Sequence, residues 1–254
     1  MKSNEYGLFE NAIDSLAVGI FFYQEYKDQM AHKHAILNIF HSIELLLKER
    51  LFREDPILIY RVANKLFVKE NSVTIGFDEC LKRFRSIGIN LSNEELKAVR
   101  ALKNKRNFIT HHKFIPNEIE DENILGLSLQ FIGNFLENHL DTRLKDEIQS
   151  ELYYPIEEIV DSFEKRYLRA TKQAEDMVTP KTKDDLCDPK NLAECPECGT
   201  ETMACAHSGG YCTMCEGSFD IQNCPGCGNF TAHLDNMGQC SDCTRNLMLR
   251  IDNE

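Results

Sequence analysis

Apolar runs long enough to cross a bilayer are missing, since no stretch approaches the roughly 18 consecutive apolar residues that a span requires. The amino terminus lacks the pattern of a secretory leader, because Glu5, Glu10 and Asp14 precede its short apolar run from Leu16 to Tyr23. The expectation is a soluble, cytoplasmic chain with no membrane partner. Cysteine is nearly missing from the first 186 residues, where Cys80 stands alone, while the other ten of the eleven lie beyond them. In a reducing compartment, closely spaced cysteines serve as metal ligands rather than disulfides. Positive charge is scarce at the carboxy-terminal end, where two Arg face eight acids from Cys195 to Glu254. That deficit argues against polyanion binding there. Large apolar side chains are also few in that segment, too few to hold a fold of about 50 residues without a staple.

What is present is uneven. The whole chain of 254 residues carries a net charge of -12, which taken alone counts against nucleic acid as a partner. Between Cys80 and Ile115, however, nine Lys or Arg face only Glu94 and Glu95. This basic region contains Ser92 to Phe114, whose pattern predicts one long helix opened by a capping box of Ser92 with Glu95. At about 100° per residue, Arg106, Thr110, Lys103, Asn107 and His111 share a sector about 140° wide. Ala101, Leu102, Phe108 and Ile109 fall on the opposite side, predicted to be buried, with Lys105 and His112 as misfits there. An imidazole shuttles protons near neutral pH, and a guanidinium grips a phosphate or offsets charge that builds in a transition state. Arg106 and His111 are about 7.5 Å apart in rise, too far for one helix to set both on a single small group. A second copy of the helix facing the first would solve this.

Arg106, Asn107 and His111 form an Arg-Asn-x3-His motif that resembles the HEPN family of small all-helical nucleotide-binding domains. The stretch His34 to Leu51, with its Glu44-Leu-Leu-Leu-Lys48 run, looks like the long early helix of that family, and the similarity covers roughly residues 5 to 145. The resemblance implies a metal-independent endoribonuclease site at a two-fold homodimer interface, of the kind found in toxin and antiphage systems. It implies Arg106, Asn107 and His111 as catalytic, with RNA as substrate and no metal in the site. Lys103 and Thr110 join them as substrate-binding candidates from the shared helix face, and Glu44 by analogy with a polar residue the family places there. The alternative is a non-catalytic HEPN module that binds RNA, nucleotides or a protein partner.

Along the chain, helical periodicity is read at about Asn11–Asp28, Ala31–Leu51, Ile57–Val68 (where Ile57-Leu-Ile-Tyr60 also passes for a strand), Phe77–Ser86, Asn123–Leu140 and Tyr153–Glu175, the last starting near Pro155 as a first-turn residue. Glu118 to Glu122 is read as an acidic loop. His32, His34 and His41 read as surface or flanking side chains, and Cys80 as a small buried apolar one. The expected fold is an all-α helical bundle over residues 1–176, a linker over 177–194, and a small zinc-stapled module over 195–254.

In that module eight cysteines form four Cys-x2-Cys knuckles: Cys195/Cys198, Cys212/Cys215, Cys224/Cys227 and Cys240/Cys243. A shift of 29 residues lays Cys195-Pro-Glu-Cys-Gly199 onto Cys224-Pro-Gly-Cys-Gly228, and a shift of 28 lays Cys212 and Cys215 onto Cys240 and Cys243. Such knuckles aim two sulfurs at one ion, so two structural Zn2+ ions in tandem four-thiolate zinc ribbons are expected. The repeat favours pairing in sequence order over a cross-braced arrangement. Cys187, Cys205, His207 and His233 are surplus. The acidic balance of the module points to a protein partner, such as an antitoxin, or to a purely structural role.

Overall fold

The computed structural model describes residues 6–25, 29–61, 72–112, 114–178, 192–206, 209–228, 230–232, 234, 238–240 and 243. The chain divides into two compact units, Met1–Asp161 and Ser162–Glu254. The first is helical and the second is a cysteine-rich module of short strands, with helix α7 (Ser150–Val178) contributing to both. The break therefore falls inside α7, upstream of the polar stretch at 177–194, of which 179–191 lie outside the described residues. Among the described residues, no helix is long and apolar enough to cross a membrane.

The first unit is built around α2 (Gln29–Glu54), which packs against α1 (Leu8–Glu25), α3 (Phe77–Ser86), α4 (Asn93–His111) and α5 (Glu118–His139). Its buried side chains include Ala35, Ile36, Ile39, Phe40, Ile43, Leu46 and Leu47, which wrap far around the helix. A helix apolar on most sides has neighbours on most sides, so α2 takes the centre. The polar sector of α4 suits that helix to a peripheral place. Gly19 on α1 lets the two first helices close up, because a β-carbon there would lie 3.2 Å from Ile39 and 3.3 Å from the Ala35 carbonyl.

The capping box is formed: the Ser92 hydroxyl accepts from the Glu95 amide at 3.1 Å, and the Ser92 amide donates to the Glu95 carboxylate at 2.7 Å. Helix α3 covers the residues read for it, and Gly88 with φ of 77° turns the chain just beyond its end. Three elements depart from the pattern. After Asp55, a short 3-10 turn over Pro56–Ile59 stands where the helix expected over Ile57–Val68 would begin, and Tyr60 bridges to Thr74; residues 62–71 lie outside the described ones. Helix α5 starts at Glu118 because the Asn117 side chain accepts from the Glu120 amide, and the acids of its first turn suit the positive end of the helix. Helix α7 begins at Ser150, so Pro155 lies inside it. A four-residue helix, α6 (Leu144–Glu147), precedes it.

The second unit pairs the end of α7 with a four-stranded antiparallel sheet. The strands β1 (Leu192–Ala193), β2 (Met203–Ala206), β3 (Gly209–Cys212) and β4 (Ser218–Phe219) lie in sequence order. Phe163, Ala170, Ala174 and Val178 of α7 are buried, and the Thr213 hydroxyl donates to the Ala170 carbonyl at 2.7 Å. A separate pair, β5 (Gln222–Asn223) with β6 (Phe230–Thr231), follows.

Candidate functional site

Three of the helix-face residues are tied together along α4. Arg106 is half-buried, its guanidinium lies 5.0 Å from the centroid of the Phe40 ring of α2, and its Nη1 donates to the Asn107 carboxamide oxygen at 3.0 Å. A guanidinium stacked on an aromatic face and held by a neighbouring amide has given up much of its rotamer freedom. The Thr110 hydroxyl donates to the Arg106 carbonyl at 2.8 Å, a bond one turn back along the helix. His111 is the last residue of α4 and is exposed, making no hydrogen bond or ion pair among the described residues. Within one chain, then, Arg106, Asn107 and Thr110 are connected and His111 stands apart.

Lys103 pairs with Asp78 of α3 and lies 5.8 Å from the centroid of the Phe77 ring. Phe40 and Phe77 are themselves in contact at 5.5 Å, so one pair of rings underlies both cations. Neither aromatic stands out in the sequence, where each reads only as core. Glu44 lies one turn beyond Phe40 on α2 and pairs with Lys48 at 2.7 Å. The Lys48 ammonium also reaches the Thr74 hydroxyl at 3.5 Å. Glu44 thus already has a cation of its own.

The two misfits on the buried side of α4 resolve differently. Lys105 is 8% exposed, with its Nζ 2.7 Å from the fully buried carboxylate of Asp121 and 2.9 Å from Glu120. Burial by itself would lower its pKa, but the hydrogen bonds to Asp121 and Glu120 outweigh burial and hold it above the ordinary lysine value. His32 of α2 completes the cluster at 3.7 Å from Asp121, stacked on Tyr23. His112 is exposed and stacks on Phe108 at 5.5 Å, and Phe108, expected to be buried, is 43% exposed. The predicted apolar side of α4 is therefore narrower at its carboxy-terminal end.

This pairing also changes the meaning of the basic stretch. Lys103 and Lys105 meet acids from α3 and α5, and Arg83 donates to the carbonyls of Leu58 and Tyr60, each at 2.8 Å, while pairing with Glu79. Much of the local positive surplus is neutralised by other parts of the chain.

The cysteines form two groups in sequence order, Cys195, Cys198, Cys212 and Cys215, then Cys224, Cys227, Cys240 and Cys243, with the sulfurs in each lying within 4.8 Å of one another. Contacts of 3.6 Å for Cys195–Cys215 and 3.7 Å for both Cys198–Cys212 and Cys227–Cys240 are far too long for S–S bonds. A tetrahedral zinc with bonds of about 2.3 Å would hold its sulfurs about 3.8 Å apart, so the residues fit a four-thiolate ion. The repeated Cys-Gly ends have a shared cause. Gly199 and Gly228 take φ of 71° and 78°, and their amides donate back to the Cys195 and Cys224 carbonyls at 2.9 and 2.7 Å.

Around the first group, the Thr200 hydroxyl lies 3.1 Å from the Cys198 sulfur and 2.9 Å from the Thr202 hydroxyl, which in turn lies 3.3 Å from the Cys212 sulfur. Around the second, the Cys240 amide donates to the Cys224 sulfur at 3.2 Å, the main reason that thiol is pulled down to about 6. The Thr-x-Thr between the first two knuckles is the one sequence signal for hydroxyl support, and under the 29-residue shift Thr200 falls on Asn229 while Thr202 falls on Thr231. Cys205 joins neither group; burial pushes its thiol up to about 11 and that of Cys80 up to about 12. Cys187, His207 and His233 lie outside the described residues. No protein-family model, curated protein or solved structure matches this chain.

Proposed function

We propose that the helical unit is a HEPN-like domain and that the protein is a metal-independent endoribonuclease of the toxin or antiphage-defence type, working as a homodimer in which two α4 helices face one another. The observation that carries this reading is Arg106 held half-buried over Phe40, its guanidinium hydrogen-bonded to Asn107, with His111 exposed on the same helix. In the proposed reaction the ribose 2′-oxygen attacks the adjacent phosphorus and the bond to the 5′-oxygen breaks. His111 moves the proton, Arg106 offsets charge on the pentacoordinate phosphate, and Asn107 holds Arg106 in place. The products are a 2′,3′-cyclic phosphate and a free 5′-hydroxyl. Because His111 and Arg106 are not linked within one chain, the imidazole of one copy would work with the guanidinium of the other. Lys103 and Thr110 would line the approach, with the zinc-bearing module as an appendage that engages a protein partner or antitoxin.

The purified, zinc-loaded protein, treated briefly with chelator, is expected to cut single-stranded RNA to cyclic-phosphate ends. Arg106→Ala and His111→Ala should each lower the rate by at least about 100-fold while leaving circular dichroism and the mass in solution unchanged. His112→Ala should be milder. Full activity in either of the first two variants rejects the reading. A second reading, a non-catalytic module that binds RNA, nucleotides or a protein, draws on the prior engagement of the Arg106 guanidinium. It predicts RNA retained uncut, with retention reduced by Arg106→Ala.

A further inference from the structure

The two four-sulfur groups are alike in spacing and unlike in surroundings. Cys195 and Cys215 are separated by 20 positions, and the Cys224 to Cys243 loop is one position shorter. Loop-closure entropy depends only weakly on length, so it cannot separate them. What differs is the wall around each. In the first group all four cysteines are buried, Thr200 and Thr202 beside them are buried, and both hydroxyls bond toward sulfur. Met203 and Met214 add further buried side chains to this half, and Thr213 ties it to α7. In the second group Cys224 is buried, but Cys227 is exposed and Cys243 partly exposed. Backbone amides, that of Cys240 at 3.2 Å first among them, bond to the Cys224 sulfur, and a pair of two-residue strands adjoins it.

Metal leaves a thiolate site when a competing ligand reaches the ion or when water and protons reach the sulfurs. Hydrogen-bonded sulfurs in a dry wall resist both. We infer that the Cys195–Cys215 group is a permanent staple, whereas the Cys224–Cys243 group is an exchangeable site for a thiophilic divalent cation. This does not depend on the ribonuclease reading.

The full chain is loaded with two equivalents of Zn2+ and mixed with excess 4-(2-pyridylazo)resorcinol under native conditions. Zinc transfer is expected in two phases of about one equivalent each, with rates at least tenfold apart. In a parallel pulse, N-ethylmaleimide followed by peptide mass mapping should label Cys227, Cys240 and Cys243 before any of Cys195, Cys198, Cys212 or Cys215. Cys227→Ser should abolish the fast phase and leave one slow equivalent. A single phase of two equivalents, or labelling that begins in the first group, overturns the inference.

Discussion

Lys105 ties α4 to α5 through two acids. Its ammonium compensates the fully buried carboxylate of Asp121 and the neighbouring Glu120, and removing one partner of such a pair leaves a desolvated charge behind. Lys105→Ala is expected to cost about 3–5 kcal/mol in chemical denaturation of the intact chain, far more than Lys82→Ala on the exposed side of α3. The pKa of Lys105 is raised above its ordinary value, so its contribution is full below about pH 10.4, the unfolded lysine value, and is lost as pH rises through the folded one. The gap in stability between the natural chain and the Lys105→Ala variant should accordingly stay open toward alkaline pH and narrow only above that point. None of this is legible along α4 alone. A lysine on an apolar face reads as an error of phase until its acids are seen, and those acids lie in a stretch that composition marks as a loop. Arg106 and Asn107 were legible as candidates because they share a sector of one helix. Their footing on Phe40 was not, because ring contacts between helices leave no trace in spacing.

At the scale of the element, helix starts were readable where their chemistry is local and compact. Ser92 and Glu95 satisfy one another's backbone partners within four residues, and the helix they open starts as the sequence reads and ends at His111, short of the expected Phe114. The start of α5 uses Asn117 and Glu120, but its first turn is so acidic that it resembles a solvated loop rather than a helix end stabilised by negative charge. Ser92→Ala and Asn117→Ala should each cost about 1 kcal/mol, measurable as parallel shifts in a urea midpoint with unchanged slope. The sequence puts the start of α7 too late for a related reason. Pro155 is a good first-turn residue, yet the Leu152 and Tyr153 amides already donate to the Gln149 carbonyl, so the turn is in place before the proline arrives.

At the scale of the molecule, the two units rest on different physics. Met1–Asp161 is held by a continuous apolar core centred on α2, whereas Ser162–Glu254 has a small sheet and two four-cysteine groups placed to hold metal ions. Prolonged removal of metal should therefore unfold the second unit and spare the first. Circular dichroism should retain most of its helical signal, while limited proteolysis should cut within 192–243. Loss of the helical signal in step with zinc would contradict this division. The knuckle spacing made the ligands readable at once, since each sulfur pair is fixed by its own turn, whereas the contrast in burial between the two groups depends on the packing around them.

One consequence follows from the sequential grouping of the sulfurs. As the chain emerges from the ribosome, the first ion can be captured once Cys215 is outside, while Cys224 is still within the exit tunnel. An interleaved arrangement would keep unpaired thiolates waiting for the third knuckle, open to oxidation and mispairing. The order of the ligands along the chain thus permits metallation to proceed in the direction of translation, one closed loop at a time.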